Sequence, residues 1–434
     1  MSTVDTINVP ILTRVEGEGA LTIRLRDGQL DDVQLRIYEP PRLFEALLQG
    51  RPLEDAPDIT ARICGICPVA YQMSSVSALE DALDVTITPQ IRQLRRLLYC
   101  GEWIESHALH VHLLHAPDFF DVPSGMELAR RFPDEMRRGL RLKKHGNELI
   151  AAIGGRAIHP VNVAVGGFHR WPPRDELKRL IPDFEWGLQA AMDAARWVTG
   201  FHFPEFEQDY EFVALSHPDE YALNEGMIAS NRHPAIAVED YQQYFVERQV
   251  AHSTALQATR MPEGSTYLLG SLARINLNFA QLLPQTRQLA DDIGFAVPCN
   301  NPFRMAIARC LEVVQAYEEA LQILRVLDFN GPYRISYQAR SAVGRAATEA
   351  PRGTLFHEYE IDAQGKIVRA VIIPPTSQNQ SQIEADLRSL LQQQLIQGVA
   401  RGQLATDAER LVRSYDPCIS CATHFLQVRW EDIA

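Results

Sequence analysis

The chain has 434 residues, 46% of them hydrophobic, and a formal net charge of −13. That length can bury a large core, in one domain or in two or three smaller ones, and the acidic balance argues against a general nucleic-acid-binding surface. No apolar run approaches the ~18 residues of a membrane-spanning helix. The start, "MSTVDTINVP", has neither a basic n-region nor an apolar h-region, so no signal peptide is expected.

The first forty residues alternate. "TRVEGEGALTIRLRDGQLDDVQLRI" reads as β-strands with a turn at Asp27-Gly28, a β segment of about residues 7–38. "PRLFEALLQG" reads as a short helix closed by Gly50. After Cys67 the pattern turns helical. Thr88-Pro89 is a good N-cap and N1 pair, and "QIRQLRRLLYCGEWIESHALHVHLLHA" can run from it as one long helix to Pro117. Helical stretches recur near 174–200, 280–294, 302–328, 379–399 and 404–414. "TLFHEYEIDAQGKIVRAVIIPP" reads as a hairpin around Gln364-Gly365. Residues 130–145, "RRFPDEMRRGLRLKKH", form a basic stretch that reads as a solvated helix face, with a partner contact as the alternative. The fold class expected is mainly α with small antiparallel β elements. No repeat or Gly/Ser linker divides the chain, which is expected to form a single domain over 1–434.

Seven cysteines are present, and four of them form two C-x-x-C pairs, Cys64/Cys67 and Cys418/Cys421. Cys100, Cys299 and Cys310 read as small buried apolar residues. Thiolates suit zinc, copper(I), iron–sulfur clusters and other soft sites. The pairs lie about 350 residues apart, too far for a zinc knuckle, too sparse for a ferredoxin cluster, and without the βαβ setting of a thioredoxin pair. Two unrelated pairs of buried thiols remain one reading. A metal centre pinned between the two ends of one domain is the other; it would tie down a chain end that otherwise frays.

"RICGIC" and "DPCISCATH" resemble the two signature motifs of the large, catalytic subunit of nickel–iron hydrogenases. "TRVEGEG", "RLFEALLQGR", "IGGRAIHPVNVAVGGF", "EAPRGTLFHEYE" and "PPTSQNQ" resemble further motifs of the family, in the family's order, over residues 13 to 424. The resemblance implies the long-helix bundle of that subunit. It implies Cys64 and Cys418 as terminal nickel ligands and Cys67 and Cys421 as thiolates bridging nickel and iron. The iron would carry cyanide and carbon monoxide, with Arg352 and Thr376 bonding cyanide in a pocket walled by Pro351 and Pro375. Arg352 and Arg62 are candidate cations to offset the thiolates.

The reaction implied is reversible oxidation of H2 by heterolytic cleavage, with Cys418 or Arg352 as the base and Glu16 as the proton relay. Asp118 and Asp416 match carboxylates that hold the arginine. Glu45, the carbonyl of Ile372 and His424 match a magnesium site, although a His nitrogen is an unusual ligand for that hard cation. His107, His110, His112 and His115 stand at i,i+3 spacings that can bind metal, but read more simply as packing and hydrogen-bonding groups. Tyr71 stands where many relatives have a histidine; a phenol can donate one hydrogen bond to a bridging thiolate but cannot act as a cation.

The branch resembled is the cytoplasmic one, coupled to NAD(P) and including sulfhydrogenases. It implies a small iron–sulfur subunit, a flavin and iron–sulfur diaphorase module, and a maturation endopeptidase that would remove 425–434 as a propeptide. Two alternatives are an H2-sensing regulatory subunit and a metal-free homologue from the quinone pocket of respiratory complex I.

Overall fold

The computed structural model describes residues 3–423. Three N-terminal strands, β1 (Val4–Val9), β2 (Gly19–Arg26) and β3 (Gln29–Ile37), form an antiparallel sheet in that order. Asp27 and Gly28 both take positive φ, 50° and 81°, as the tight turn between β2 and β3 requires. The helices that follow are α1 (Phe44–Leu48), α2 (Ala56–Ala61), α3 (Pro68–Leu83), α4 (Pro89–Leu109), α5 (Gly125–Arg131), α6 (Pro133–Gly154), α7 (Arg174–Arg179) and α8 (Ile181–Thr199). Small hairpins lie at β4 (Val163–Ala164) with β5 (Gly167–Phe168), β6 (Val213–Ser216) with β7 (Met227–Ser230), and β8 (Phe245–Arg248) with β9 (Gln257–Arg260). Then come α9 (Tyr241–Tyr244, just before β8), α10 (Ser271–Asn278), α11 (Pro284–Asp292) and α12 (Met305–Val326). A second antiparallel sheet, β10 (Ala342–Ala350), β11 (Gly353–Ile361) and β12 (Ile367–Ile373), precedes α13 (Pro375–Ile396) and α14 (Arg401–Ser414).

The fold is mainly helical with small antiparallel sheets, as expected. Helices α4, α6, α8 and α12 pack on one another, and α3 lies against β10 and β11. Thr88 caps α4 by accepting the Ile91 N–H at 3.3 Å. Beyond Leu109 the chain winds on as a π-helical turn over His110–His115 and a tight turn over Ala116–Phe119. Helix α13 begins at Pro375, earlier than the sequence suggested, because proline is well suited to a first helical position. Strand β10 was not anticipated. "AVGRAATEA" is poor in β-branched residues, and tertiary packing overrides propensity there. A Cβ on its Gly344 would meet the backbone of Ala78 and Ala82, so glycine lets the strand lie directly on α3.

The basic stretch is a helix face, as read. Arg130, Arg137 and Arg138 pair with Glu127, Asp134 and Glu135, while Arg141, Lys143 and Lys144 reach Asp183, Glu105 and Glu148. Opposite that face, α6 meets α4 through glycines. A Cβ on Gly146 would lie 2.7 Å from the Glu105 amide nitrogen and clash with the carbonyl of Gly101. Gly146→Ala should therefore destabilise the protein by about 1–3 kcal/mol. The exposed Gly402→Ala, with open space around its Cβ, should leave stability unchanged or slightly raised. Thermal unfolding midpoints at one scan rate compare the two.

Candidate metal centre

The first cysteine pair sits at the head of a buried helix. Cys67 is the residue before α3, Pro68 is its first turn, and almost every side chain of α3 is buried. The second pair lies just beyond α14, in a short helical turn over Ser420–Thr423. The fold brings the pairs together. Cys64 Sγ lies 3.6 Å from Cys418 Sγ, and Cys67 Sγ 3.9 Å from Cys421 Sγ. All four sulfurs lie within 4.8 Å of one another, buried; among the described residues this is the one group of its kind able to hold a metal ion. Cys100, Cys299 and Cys310 are buried apart from it, as expected.

The N-terminal loop straps the second motif. Glu16 pairs with Cys418 as an isolated parallel bridge, and its carbonyl accepts the Ile419 N–H at 2.9 Å. Its carboxylate accepts from Cys418 Sγ at 3.0 Å and from the Ser420 N–H at 3.1 Å. Gly17 takes φ 88°, and a Cβ there would lie 2.8 Å from Ile419 Cβ and 2.9 Å from the Ser420 nitrogen. Only glycine permits so close an approach in that conformation. Arg42 adds a second strap: its guanidinium donates to the carbonyl of Ile63 at 2.8 Å and to that of Ser420. The Thr376 hydroxyl accepts the Cys418 N–H at 3.0 Å.

Arg352 is fully buried. Its Nε donates to the Asp416 carbonyl at 2.7 Å and its Nη2 to Asp416 Oδ1 at 3.1 Å. Burial opposes its charge, but Asp416 and the sulfurs of Cys418, Cys67 and Cys64 outweigh that and hold the guanidinium firmly protonated. Nη1 of Arg352, Oδ2 of Asp416 and the Tyr71 hydroxyl have no hydrogen-bond partner among the described residues. Burial drives the thiols of Cys67, Cys418 and Cys421 up. It also opposes ionisation of Cys64, but hydrogen bonding from the other cysteines prevails and pulls that thiol down. A compact buried set of soft donors, with an unsatisfied guanidinium nitrogen and a phenol beside it, fits a cationic centre that carries its own hydrogen-bond acceptors.

Two expectations are corrected. Asp118 does not hold Arg352; it accepts from Arg413 at 2.7 and 2.9 Å and from Arg14 at 2.5 Å, because Arg352 is already engaged by Asp416. Arg62 is no counter-ion for the thiolates. Its side chain is 44% exposed and bonds Asp58, one helical turn back. Tyr71 is buried among the sulfurs, yet its hydroxyl bonds none of them; burial and their charge keep it a protonated phenol. His424 lies outside the described residues. Its expected companions do meet: the Glu45 carboxylate accepts the Ile372 N–H at 2.7 Å, and burial pushes Glu45 up to about 7. The four histidines are buried. His107 bonds Glu312, His110 the Arg413 carbonyl and His112 the Ala108 carbonyl, and none joins the metal cluster.

A family model described as nickel-dependent hydrogenase matches residues 42–132 and 262–424. The chain belongs to the nickel-dependent hydrogenases. It is a large, catalytic subunit of the nickel–iron type, an oxidoreductase acting on H2. It is 31% identical to sulfhydrogenase 2 subunit alpha of Pyrococcus furiosus, over 97% of this chain and 100% of that one. It is 28% identical to the NAD-reducing hydrogenase HoxS subunit beta of Cupriavidus necator, over 96% of this chain and 94% of the other. Its fold is similar to a crystal structure of an NAD+-reducing [NiFe]-hydrogenase in the H2-reduced state, with a TM-score of 0.88 at 27% identity, covering 98% of this chain and 100% of that one.

The residues that set the site beyond its motifs were not visible in the sequence. Arg274, fully buried, donates to Glu312 at 2.7 and 2.8 Å, to Glu349 at 2.9 Å, and to the carbonyls of Ala350 and Pro351. It thus fixes the β10–β11 turn that carries Pro351 and Arg352. Pro375 packs on the same turn: a Cβ on Gly353 would lie 3.1 Å from Pro375 Cβ. Burial works against the Glu312 charge, but Arg274 holds that carboxyl down at about 2. Its stabilisation is therefore complete above the ordinary carboxylate range, declines as pH falls below that range, and is gone once pH has fallen through about 2. Arg274→Met strands two buried carboxyl groups and should cost about 3–5 kcal/mol. Chemical denaturation at neutral pH measures this.

Proposed function

We propose that the four-sulfur cluster holds a nickel–iron centre, with Cys64 and Cys418 as terminal nickel ligands and Cys67 and Cys421 bridging to an iron that carries cyanide and carbon monoxide. The observation that carries the reading is the gathering of four buried sulfurs, two from each end of the chain, within 4.8 Å of one another. When bound, the centre supplies the Lewis acidity and electron storage that heterolytic cleavage of H2 needs. The remaining roles fall to the chain. The Cys418 sulfur takes the proton and passes it to the Glu16 carboxylate, which lies 3.0 Å away. Arg352, fixed by Asp416, keeps Nη1 free to donate to an anionic ligand and to offset thiolate charge. The Thr376 hydroxyl accepts the Cys418 N–H and keeps its own proton to donate to cyanide. Pro351 and Pro375 wall the pocket.

Glu45 and the Ile372 carbonyl, completed by His424, would hold a magnesium ion. The partners proposed are a small iron–sulfur subunit that accepts the electrons and a flavin-containing diaphorase that passes them to NAD(P) in the cytoplasm. The likeness to NAD-reducing and sulfhydrogenase proteins supports that branch over an H2 sensor. A maturation endopeptidase would act on the segment after His424.

The purified active complex should contain nickel, with iron in excess of it because the partner subunits carry iron–sulfur clusters, show infrared bands of bound CO and cyanide, and reduce NAD(P)+ with H2. Zinc alone would refute the centre, and loss of NAD(P)+ turnover with the bands retained would favour the sensor. Glu16→Gln keeps an acceptor for the Ser420 N–H but cannot relay a proton. H2 oxidation should fall roughly a hundredfold or more at unchanged nickel content; an unaltered rate would remove Glu16 from the relay.

A further inference from the structure

Two buried carboxyl groups near the cysteines have no part in the reaction above. Glu102 and Glu105 stand on one face of α4, three residues apart. Burying a carboxylate is costly unless it is satisfied or protonated. Glu102 is fully buried and ion-pairs with no cation among the described residues. Its oxygens accept the N–H groups of Val69 at 2.6 Å and Ala70 at 3.1 Å, in the first turn of α3 directly after the first cysteine motif. Glu105 lies one turn on. Its Oε2 meets Lys143 Nζ at 2.7 Å; the Glu105 side chain is 6% exposed and that of Lys143 28%. The pair therefore spans from the buried motif to a residue wetted by solvent.

We infer that Glu102 and Glu105 form a second proton passage, leading from the thiol pocket to the water around Lys143 and separate from the Glu16 route. The inference rests on the hydrogenase reading given above. The Glu102 carboxyl, which burial and the charges of Cys64 and Glu105 favour in its protonated form, gives its proton to Glu105 and takes up one released in the pocket. Glu105 in turn gives its proton to water beside Lys143. No electrons move, and both groups return to their starting state.

The surroundings suit the task. Glu105 faces Lys143 from α6, Arg352 from the β10–β11 turn, and Cys64 and Glu102 from the pocket side. Burial drives its carboxyl up to about 7, against the pull of Lys143 and Arg352. A relay works best when its carboxyl exchanges near the working pH.

The first test needs no nickel. In the full-length chain purified from nickel-starved cells, an infrared carboxyl band should titrate near neutral pH and vanish in Glu105→Gln. In Lys143→Met, a change at a partly exposed position, its midpoint should move to higher pH, since the ammonium that lowers it is gone. No titrating band, or an unmoved midpoint, overturns the passage without bearing on the metal centre. In the loaded complex, H2/D2O exchange in Glu16→Gln should fall roughly tenfold or more again when Glu105→Gln is added. Equal exchange in the single and double variants overturns the passage, and leaves Glu105 as a packing partner of Lys143.

Discussion

The structure depends on bringing four buried sulfurs within 4.8 Å of one another from opposite ends of the chain. As thiolates they repel one another and lose their water, so without a cation the arrangement is unfavourable. The protein answers from both sides. On one side a helix buried on nearly every face starts directly after Cys67, so the first motif cannot shift without moving the core. On the other, Glu16, Gly17 and Arg42 clamp the loop that carries Cys418 and Cys421. A metal bound between them adds its affinity to folding, since the site does not exist in the unfolded chain.

The positive charge beside this cluster is held in place indirectly. Arg352 touches Asp416, and Asp416 sits at φ 55° two residues before Cys418. The turn that presents Arg352 is in turn gripped by Arg274, which is balanced by Glu312 and Glu349 and lies over the Trp103 ring at 4.4 Å. Glu312 also takes hydrogen bonds from Tyr221 and His107. The buried ions therefore form one linked set. Such a set rarely adds net stability over well-packed apolar residues, but removing one member leaves its partners unpaired. What it secures is the position of a single guanidinium.

The residues around the sulfurs were legible in the sequence; the buried network behind them was not. The two C-x-x-C pairs, Glu16, Asp416 and Thr376 fall inside short contiguous motifs, and each of them stands beside the sulfurs. The N-cap at Thr88 and the turn at Asp27-Gly28 could be read because local chemistry decides them. Glu349 opens the "EAPRG" motif, but Arg274 and Glu312 come from other elements and meet it only through tertiary packing, so no spacing announces them. Arg62 failed for the opposite reason. Its partner Asp58 is one helical turn away, and local pairing prevailed over the more distant cluster. Strand β10 failed because its small residues serve contact with α3, not intrinsic strand preference.

Tyr71 shows how far the same constraint reaches. It lies in the first turn of α3, fully buried, with its ring 5.9 Å from that of His357. Burial and the surrounding sulfurs all favour the neutral phenol, so it adds no charge of either sign to the cluster. A cation at this position would share with Arg352 the work of balancing the thiolates. With a phenol there, that work rests more heavily on Arg352 and on the bound metals. The phenol can still offer one O–H toward a sulfur or a metal-bound group, and its hydroxyl is unengaged among the described residues. The choice of tyrosine thus couples the pocket's charge balance more closely to the Arg352–Asp416 pair, and through it to the Arg274 network that holds the turn.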